Sequence, residues 1–206
     1  MKPTIYHAPR TRSIRLVWLA EEMGLDCEVK TLPFSREYFQ SDEWRAVNPL
    51  GKVPAFRDGD LTLIESVAIM EYMTAKYGPT ELAPAADDPQ YGPYLQWLHF
   101  GEAGMAPYVT MVMGHTHLLP EKARIPAMAE WGRREAKACF ELLAKGLGDK
   151  DYLIGDFSAA DISVVYMLYL AKLSRMGKDF PDALTAYFKR ATDRPAWEKA
   201  SKLGIE

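Results

Sequence analysis

Three hydroxyl side chains stand near the start of the first helical pattern of the chain: Tyr6 at the end of a short strand-like run, Thr4-Ile5-Tyr6-His7, and Thr11 and Ser13 at the entry to the helix. Free N–H groups and the positive dipole end make a helix start a place for an anion, and a hydroxyl there can donate a hydrogen bond to it. Arg12 sits between two of these hydroxyls, where a cation is unfavourable unless something anionic lies nearby. A second helix start, at Ser66, offers the same provision for an anion. A cysteine in the first loop would point to thiol–disulfide exchange through a thiolate nucleophile, but none is there. Cys27 follows the helix instead of preceding it, and Cys139 belongs to an amphipathic helical pattern, so both read as inert packing residues. His115 and His117 are two apart and do not share a helix face, so no metal site is expected.

The elements that must position these groups follow from periodicity. Ala8-Pro9-Arg10 breaks the first strand, and a helix then runs with a wide apolar face, Ile14, Leu16, Val17, Trp18, Leu19 and Met23, to a stop at Gly24. Cys27 to Leu32 alternates as a second strand, parallel to the first after a helical crossover. Val53 to Arg57 and Leu61 to Ile64 flank Asp58-Gly59-Asp60, a strong hairpin signal, and Glu65 to Tyr77 returns to helical spacing before Gly78-Pro79. The order βαβ then ββα predicts a mixed four-stranded sheet in residues 1–79, and the proline-bearing stretch 80–88 reads as a linker. Residues 89–206 read as an all-helical domain with helices at Tyr91 to His117, bent or broken near Pro107, Glu121 to Leu147, Ala159 to Ser174, Pro181 to Thr192 and Pro195 to Lys202. Ser158 and Asp161 have the spacing of a capping box, a structural role.

The stretch Asn48-Pro49-Leu50-Gly51-Lys52-Val53-Pro54, the later Glu65-Ser66, and the segment Gly155-Asp156-Phe157-Ser158-Ala159-Ala160-Asp161-Ile162 together resemble cytosolic glutathione transferases of bacterial type from end to end. The resemblance implies an α/β plus all-α molecule, with a thioredoxin-like N-terminal domain and a helical-bundle C-terminal domain. It implies that Pro54 follows a cis peptide bond, with the backbone of Val53 pairing with the cysteinyl part of glutathione as an added strand would. Ser66 then suits the γ-glutamyl carboxylate, Glu65 the α-amino group and Lys52 the glycine carboxylate, with glutathione also the anion that Arg12 would meet. Thr11 falls where serine-type members carry their thiol-activating hydroxyl, and Tyr6 near the tyrosine of tyrosine-type members. Threonine departs from both patterns. The order of preference is Thr11, Ser13, Tyr6, and Thr11 or Ser13 also fits a plain N-cap.

The same resemblance places an apolar electrophile against Met105, Pro107, Tyr108, Met111, Val112 and His115, residues that fit helix packing equally well. It implies a homodimer, in which Glu102 would approach the neighbouring glutathione, and a detoxifying transferase that uses glutathione as co-substrate with no resident cofactor. A ligand carrier of the same fold, or a glutathione-dependent peroxidase, isomerase or dehalogenase, would use the same groups. With 26% charged residues and a formal net charge of −3, the chain carries no basic footprint for nucleic acid. The longest apolar run, near Val164 to Ala171, is far short of the roughly 20 residues of a membrane span, and the N-terminus has no secretory pattern. A cytoplasmic protein without a membrane partner is the expectation.

Overall fold

In a computed structural model that describes residues 2–205, the chain divides into two compact units, Met1–Leu82 with Asp193–Glu206, and Ala83–Thr192. Strand β1 (Thr4–His7) lies in the middle of the first unit's sheet because all four of its residues are buried. It pairs in parallel with β2 (Glu28–Thr31), Thr4 opposite Glu28 and His7 opposite Thr31. On its other side it runs antiparallel to β3 (Ala55–Asp58), which pairs with β4 (Leu61–Ile64), so the order is β2-β1-β3-β4. The mixed four-stranded sheet and the βαβ-ββα order agree with the sequence reading.

Helix α1 (Ile14–Met23) crosses between β1 and β2 and buries Ile14, Leu16, Val17, Trp18 and Leu19. It stops at Gly24, whose φ of +61° is open to a residue with no Cβ. Two short helices, α2 (Arg36–Gln40) and α3 (Asp42–Arg45), fill the segment before β3, where the sequence reading had no element. Their signals were the caps alone: Ser35 Oγ accepts from the Tyr38 N–H and Ser41 Oγ from the Trp44 N–H, and helices this short show no apolar repeat. Helix α4 (Ser66–Lys76) completes the βαβ-ββα core.

The sequence reading placed residues 193–206 with the helical domain, whereas α10 (Pro195–Lys202) packs against α1 in the first unit. Trp197 meets Trp18 edge to face at 4.8 Å, and the Arg194 guanidinium grips the Glu22 carboxylate with two bonds of 2.7 and 2.6 Å. Those partners lie some 170 residues upstream, which a helical period cannot reveal.

In the second unit, the long helix expected over Tyr91 to His117 is α5 (Tyr91–His99), a π-helical stretch (Phe100–Met105), α6 (Ala106–Met113) and a second π-helical stretch (Gly114–Leu118). Pro107 lies in the first turn of α6, directly after the π-helical stretch, and lacks the N–H that would carry the helical ladder across that point, so the irregularity falls just before it. A Cβ on Gly101 in that stretch would stand 2.5 Å from Ser163 Oγ, so glycine is what permits close approach to α8 (Ala159–Leu173). Helix α7 (Pro126–Leu147) starts five residues later than the expected Glu121 because Pro126 sets its first turn, and α9 (Asp182–Thr192) follows α8.

Asp161 is fully buried at the start of α8. Its carboxylate accepts from the Ser158 and Leu153 N–H groups at 2.9 and 3.1 Å, from Ser158 Oγ at 3.0 Å and from the Tyr187 hydroxyl at 2.8 Å. The Ser158–Asp161 box is thus a structural joint between α8, its preceding loop and α9, as its spacing indicated. Among the described residues, no helix is long and apolar enough to cross a membrane.

Candidate functional site

The loop between β1 and α1 is folded over its own hydroxyls. Thr11 Oγ1 donates to the Ala8 carbonyl at 2.7 Å and stands 2.7 Å from Ser13 Oγ. Ser13 Oγ accepts from the Ala8 N–H at 3.1 Å and lies 2.8 Å from Nδ1 of His7. The far ring nitrogen of His7, Nε2, meets the Leu203 carbonyl at 3.1 Å. Ser13 and His7 are fully buried while Thr11 is half-buried, so Thr11 is the outer member of this chain. Ser13 makes no side-chain capping bond to α1, because its hydroxyl is taken up by the loop.

Tyr6 is not part of this group. Alternation along β1 sends the Tyr6 ring to the opposite sheet face from His7, where it packs with Leu32, Trp44 and Ala55 and meets the Trp44 ring edge to face at 5.5 Å. Its hydroxyl is thereby separated from the helix start that Thr11 and Ser13 share.

At the second position of α1, Arg15 is wholly buried, and its Nη1 donates to Ser66 Oγ at 3.0 Å. This bond ties the first helix to the start of the fourth, so the two helix N-termini that the sequence marked as anion sites belong to one cluster. Ser66 is itself buried at 3% exposure. Glu65, just before it, has φ of +75° and ψ of 106°, a conformation that costs a residue with a Cβ about 1–3 kcal/mol, and its side chain makes no cap bond to α4. A strained, exposed carboxylate beside an uncapped helix start is the kind of feature that concentrates at binding sites.

Between them, the loop before β3 is shaped by Asn48. Its Oδ1 accepts from the Leu50 N–H at 3.0 Å and its Nδ2 donates to the Lys52 carbonyl at 2.7 Å, although it is only 2% exposed. Gly51 has φ of +62°, and a Cβ there would run into the Phe39 carbonyl oxygen. The loop therefore presents an exposed Lys52 and a half-buried Val53, followed by a cis Val53–Pro54 bond, as the family resemblance implied. Arg12 is half-buried in the first loop.

The residues expected around an electrophile separate by burial. Met105 and Val112 are fully buried core. Tyr108 packs edge to face on Trp131 at 6.2 Å, and the Met111 Cβ lies 3.3 Å from where a Gly132 side chain would begin, so α6 lies close on α7 there. Half-buried His115 accepts from the Ile125 N–H through Nδ1 at 3.1 Å. Both cysteines are unpaired, and burial with the Asp26 carboxylate pushes the Cys27 thiol up to about 11, away from reactivity. Burial and Glu135 raise Cys139 as well.

Three structural members of the site carried no sequence-level assignment: His7, Arg15 and Asn48. Strand alternation with apolar Ile5 was a signal for His7, and a lone arginine inside the apolar run Ile14 to Leu19 was one for Arg15. For Asn48 only the loop position was legible.

The family model for the glutathione S-transferase N-terminal domain matches residues 1–75. Glutathione S-transferase 1 of Schizosaccharomyces pombe is 30% identical over 77% of this chain and 71% of its own length. The probable glutathione S-transferase GSTF2 of Oryza sativa subsp. japonica is 32% identical over 73% of this chain and 72% of its own. Among solved structures, the glutathione transferase URE2P6 from Phanerochaete chrysosporium, in complex with oxidized glutathione, superposes with a TM-score of 0.84 at 27% identity, covering 97% of this chain and 94% of that one.

Proposed function

We propose, for a chain that belongs to the glutathione S-transferase family and is a glutathione transferase, that the cluster around Thr11, Val53 and Ser66 holds glutathione and ionises its thiol. The Arg15–Ser66 bond carries this reading, because it fastens the hydroxyl-bearing loop to the α4 helix start within one unit. On this reading Ser66 and the N–H groups of α4 receive the γ-glutamyl carboxylate, Glu65 its ammonium group, and Lys52 the glycine carboxylate. Val53 offers its backbone to the cysteinyl residue beside Pro54, and Arg12 adds positive charge on the thiol side.

Thr11 is the donor to the thiolate, since it is the hydroxyl at the outer end of the loop chain. A free thiol titrates at about 8.5, so a hydrogen bond at a helix start raises the thiolate fraction near neutral pH. The thiolate then attacks an electrophilic carbon on a substrate that the helical unit receives at Tyr108, Met111 and His115, with buried Met105 supporting them from the core. An apolar electrophile, a homodimer and a detoxifying role in the cytoplasm belong to the same proposal.

Conjugation kinetics with an activated aryl halide test it. Thr11→Ala is expected to lower kcat roughly 100-fold at neutral pH with little change in the KM for glutathione. Ser66→Ala should act mainly through that KM. A Thr11→Ala enzyme of undiminished kcat would remove Thr11 from the role.

A further inference from the structure

The loop contains more hydrogen-bond contacts than it has hydrogens to fill them. Ser13 Oγ and His7 Nδ1 are 2.8 Å apart, Ser13 Oγ and Thr11 Oγ1 2.7 Å, and Thr11 Oγ1 and the Ala8 carbonyl 2.7 Å. A carbonyl oxygen only accepts, so the contact of Nε2 with Leu203 places a hydrogen on Nε2. In the neutral imidazole, Nδ1 is then bare and takes the Ser13 hydrogen. Thr11 must turn its own hydrogen either to Ser13 or to Ala8, and one of the three contacts stays empty. With Nδ1 also protonated, the hydrogens run His7 to Ser13 to Thr11 to Ala8, and all three of these contacts are filled. The loop has a place for one additional proton, at the end remote from the surface.

We propose that His7 receives the thiol proton of glutathione through Ser13 and Thr11, so that thiolate and imidazolium form as a pair at the two ends of one hydrogen-bond chain. This deepens the reading of the site given above, because it rests on the glutathione thiol meeting Thr11. Thr11 first turns its hydroxyl hydrogen from Ala8 to Ser13; the thiol S–H then passes its proton to Thr11 Oγ1, Thr11 passes its hydroxyl proton to Ser13 Oγ, and Ser13 passes its own to Nδ1. One S–H bond is lost, one N–H bond is gained, and both hydroxyls end with one hydrogen each. The Thr11 hydrogen now faces the sulfur anion, which takes the place of the Ala8 carbonyl as its acceptor. Ser13 and His7 act through Thr11 and are positioning residues.

Burial holds the free imidazole below its usual pKa while the Leu203 bond opposes that shift, so His7 is neutral until an anion balances it. The charged side chains on the surrounding elements are Arg10 and Arg12 in the loop, Arg15, Glu21 and Glu22 on α1, Glu28 and Lys30 on β2, Arg57 and Asp58 on β3, and Glu198, Lys199 and Lys202 on α10. Arg15 is held by Ser66 and the two α10 lysines by Glu21 and Glu198. Leu203 keeps its place because Gly204 follows it, where a Cβ would meet Thr31 at 2.8 Å and Pro9 at 3.1 Å. The last turn of the chain thereby fixes the ring of His7.

The test uses the wild-type protein and glutathione. Thiolate formed on saturation is counted by its ultraviolet absorbance, protons released are counted by calorimetry in buffers of different ionisation enthalpy, and the His7 ring is followed by nitrogen NMR. The relay predicts thiolate with well under one proton released for each, and a doubly protonated His7 ring in the complex. His7→Asn, which keeps an acceptor for Ser13 but cannot take a proton, should bind S-methylglutathione within about twofold of wild type. It should raise the bound thiol's pKa by about one unit or more. One proton released per thiolate with His7 still neutral, or an unmoved pKa in His7→Asn, would overturn the relay. Thiolate formation without His7 charging leaves the glutathione site standing, whereas no binding of glutathione by the wild type would remove that site and the relay together.

Discussion

Ser13 has a single hydroxyl hydrogen, and His7, Ala8 and Thr11 all lie within reach of it. That count separates the candidate hydroxyls in a way their sequence positions could not: Ser13 is spent on the interior, Tyr6 faces the Trp44 cluster, and Thr11 stands outermost. Threonine can replace serine here because donation needs only the hydroxyl, and the added methyl group does not alter its hydrogen-bonding capacity. The ionisation of His7 also bears on stability. Burial lowers its pKa from the ordinary imidazole value in the fold, so well above that value it is neutral in folded and unfolded chains alike. As pH falls below it, the unfolded chain binds the proton first and stability is lost until the folded pKa is passed. Without ligand, the stability advantage of wild type over His7→Asn should therefore shrink on acidification, read as urea midpoints at about pH 7.5 and about pH 5.5. An advantage that grows on acidification would mean that the buried ring is charged in the free protein.

Elements of strong period were legible: β1, α1, the β3–β4 hairpin, α4, α8 and α10 fall within a residue or two of their expected places. The short helices α2 and α3 and the π-helical stretches of the second unit were not, because a segment of four to six residues leaves no repeat to read. At the site, the loop residues and the helix starts were legible from residue type. The bond between Arg15 and Ser66 was not, since it joins positions 51 apart. Two elements depend on single joints. Asp161→Ala would strip the buried Ser158 and Leu153 N–H groups and the Tyr187 hydroxyl of their acceptor, costing about 3–5 kcal/mol in chemical denaturation. Trp197→Ala would leave Trp18 unpacked and cost about 3–4 kcal/mol. If the Asp161 variant were as stable as wild type, α8 would be held by apolar packing alone.

At the scale of the molecule, the chain spends its first 82 residues and its last 14 on one unit, so the C-terminal helix is part of the sheet domain's core. That return explains how a residue as late as Leu203 can hold a side chain of β1. The second unit is built on its own, with α8 buried nearly throughout and α7 lying on α6 at Gly132. A homodimer predicts a solution mass of twice the chain by light scattering, and a monomer at working concentration would remove that part of the proposal. The central claim is that this site turns the glutathione thiol into a thiolate through Thr11. Its most direct test is an ultraviolet titration of bound glutathione against pH in wild type, Thr11→Ala, Ser13→Ala and Tyr6→Phe. The wild-type thiol pKa is expected well below the free value of about 8.5, restored upward most strongly by Thr11→Ala and left in place by Tyr6→Phe. An unshifted pKa at saturation, or a shift that Thr11→Ala leaves untouched, would contradict it.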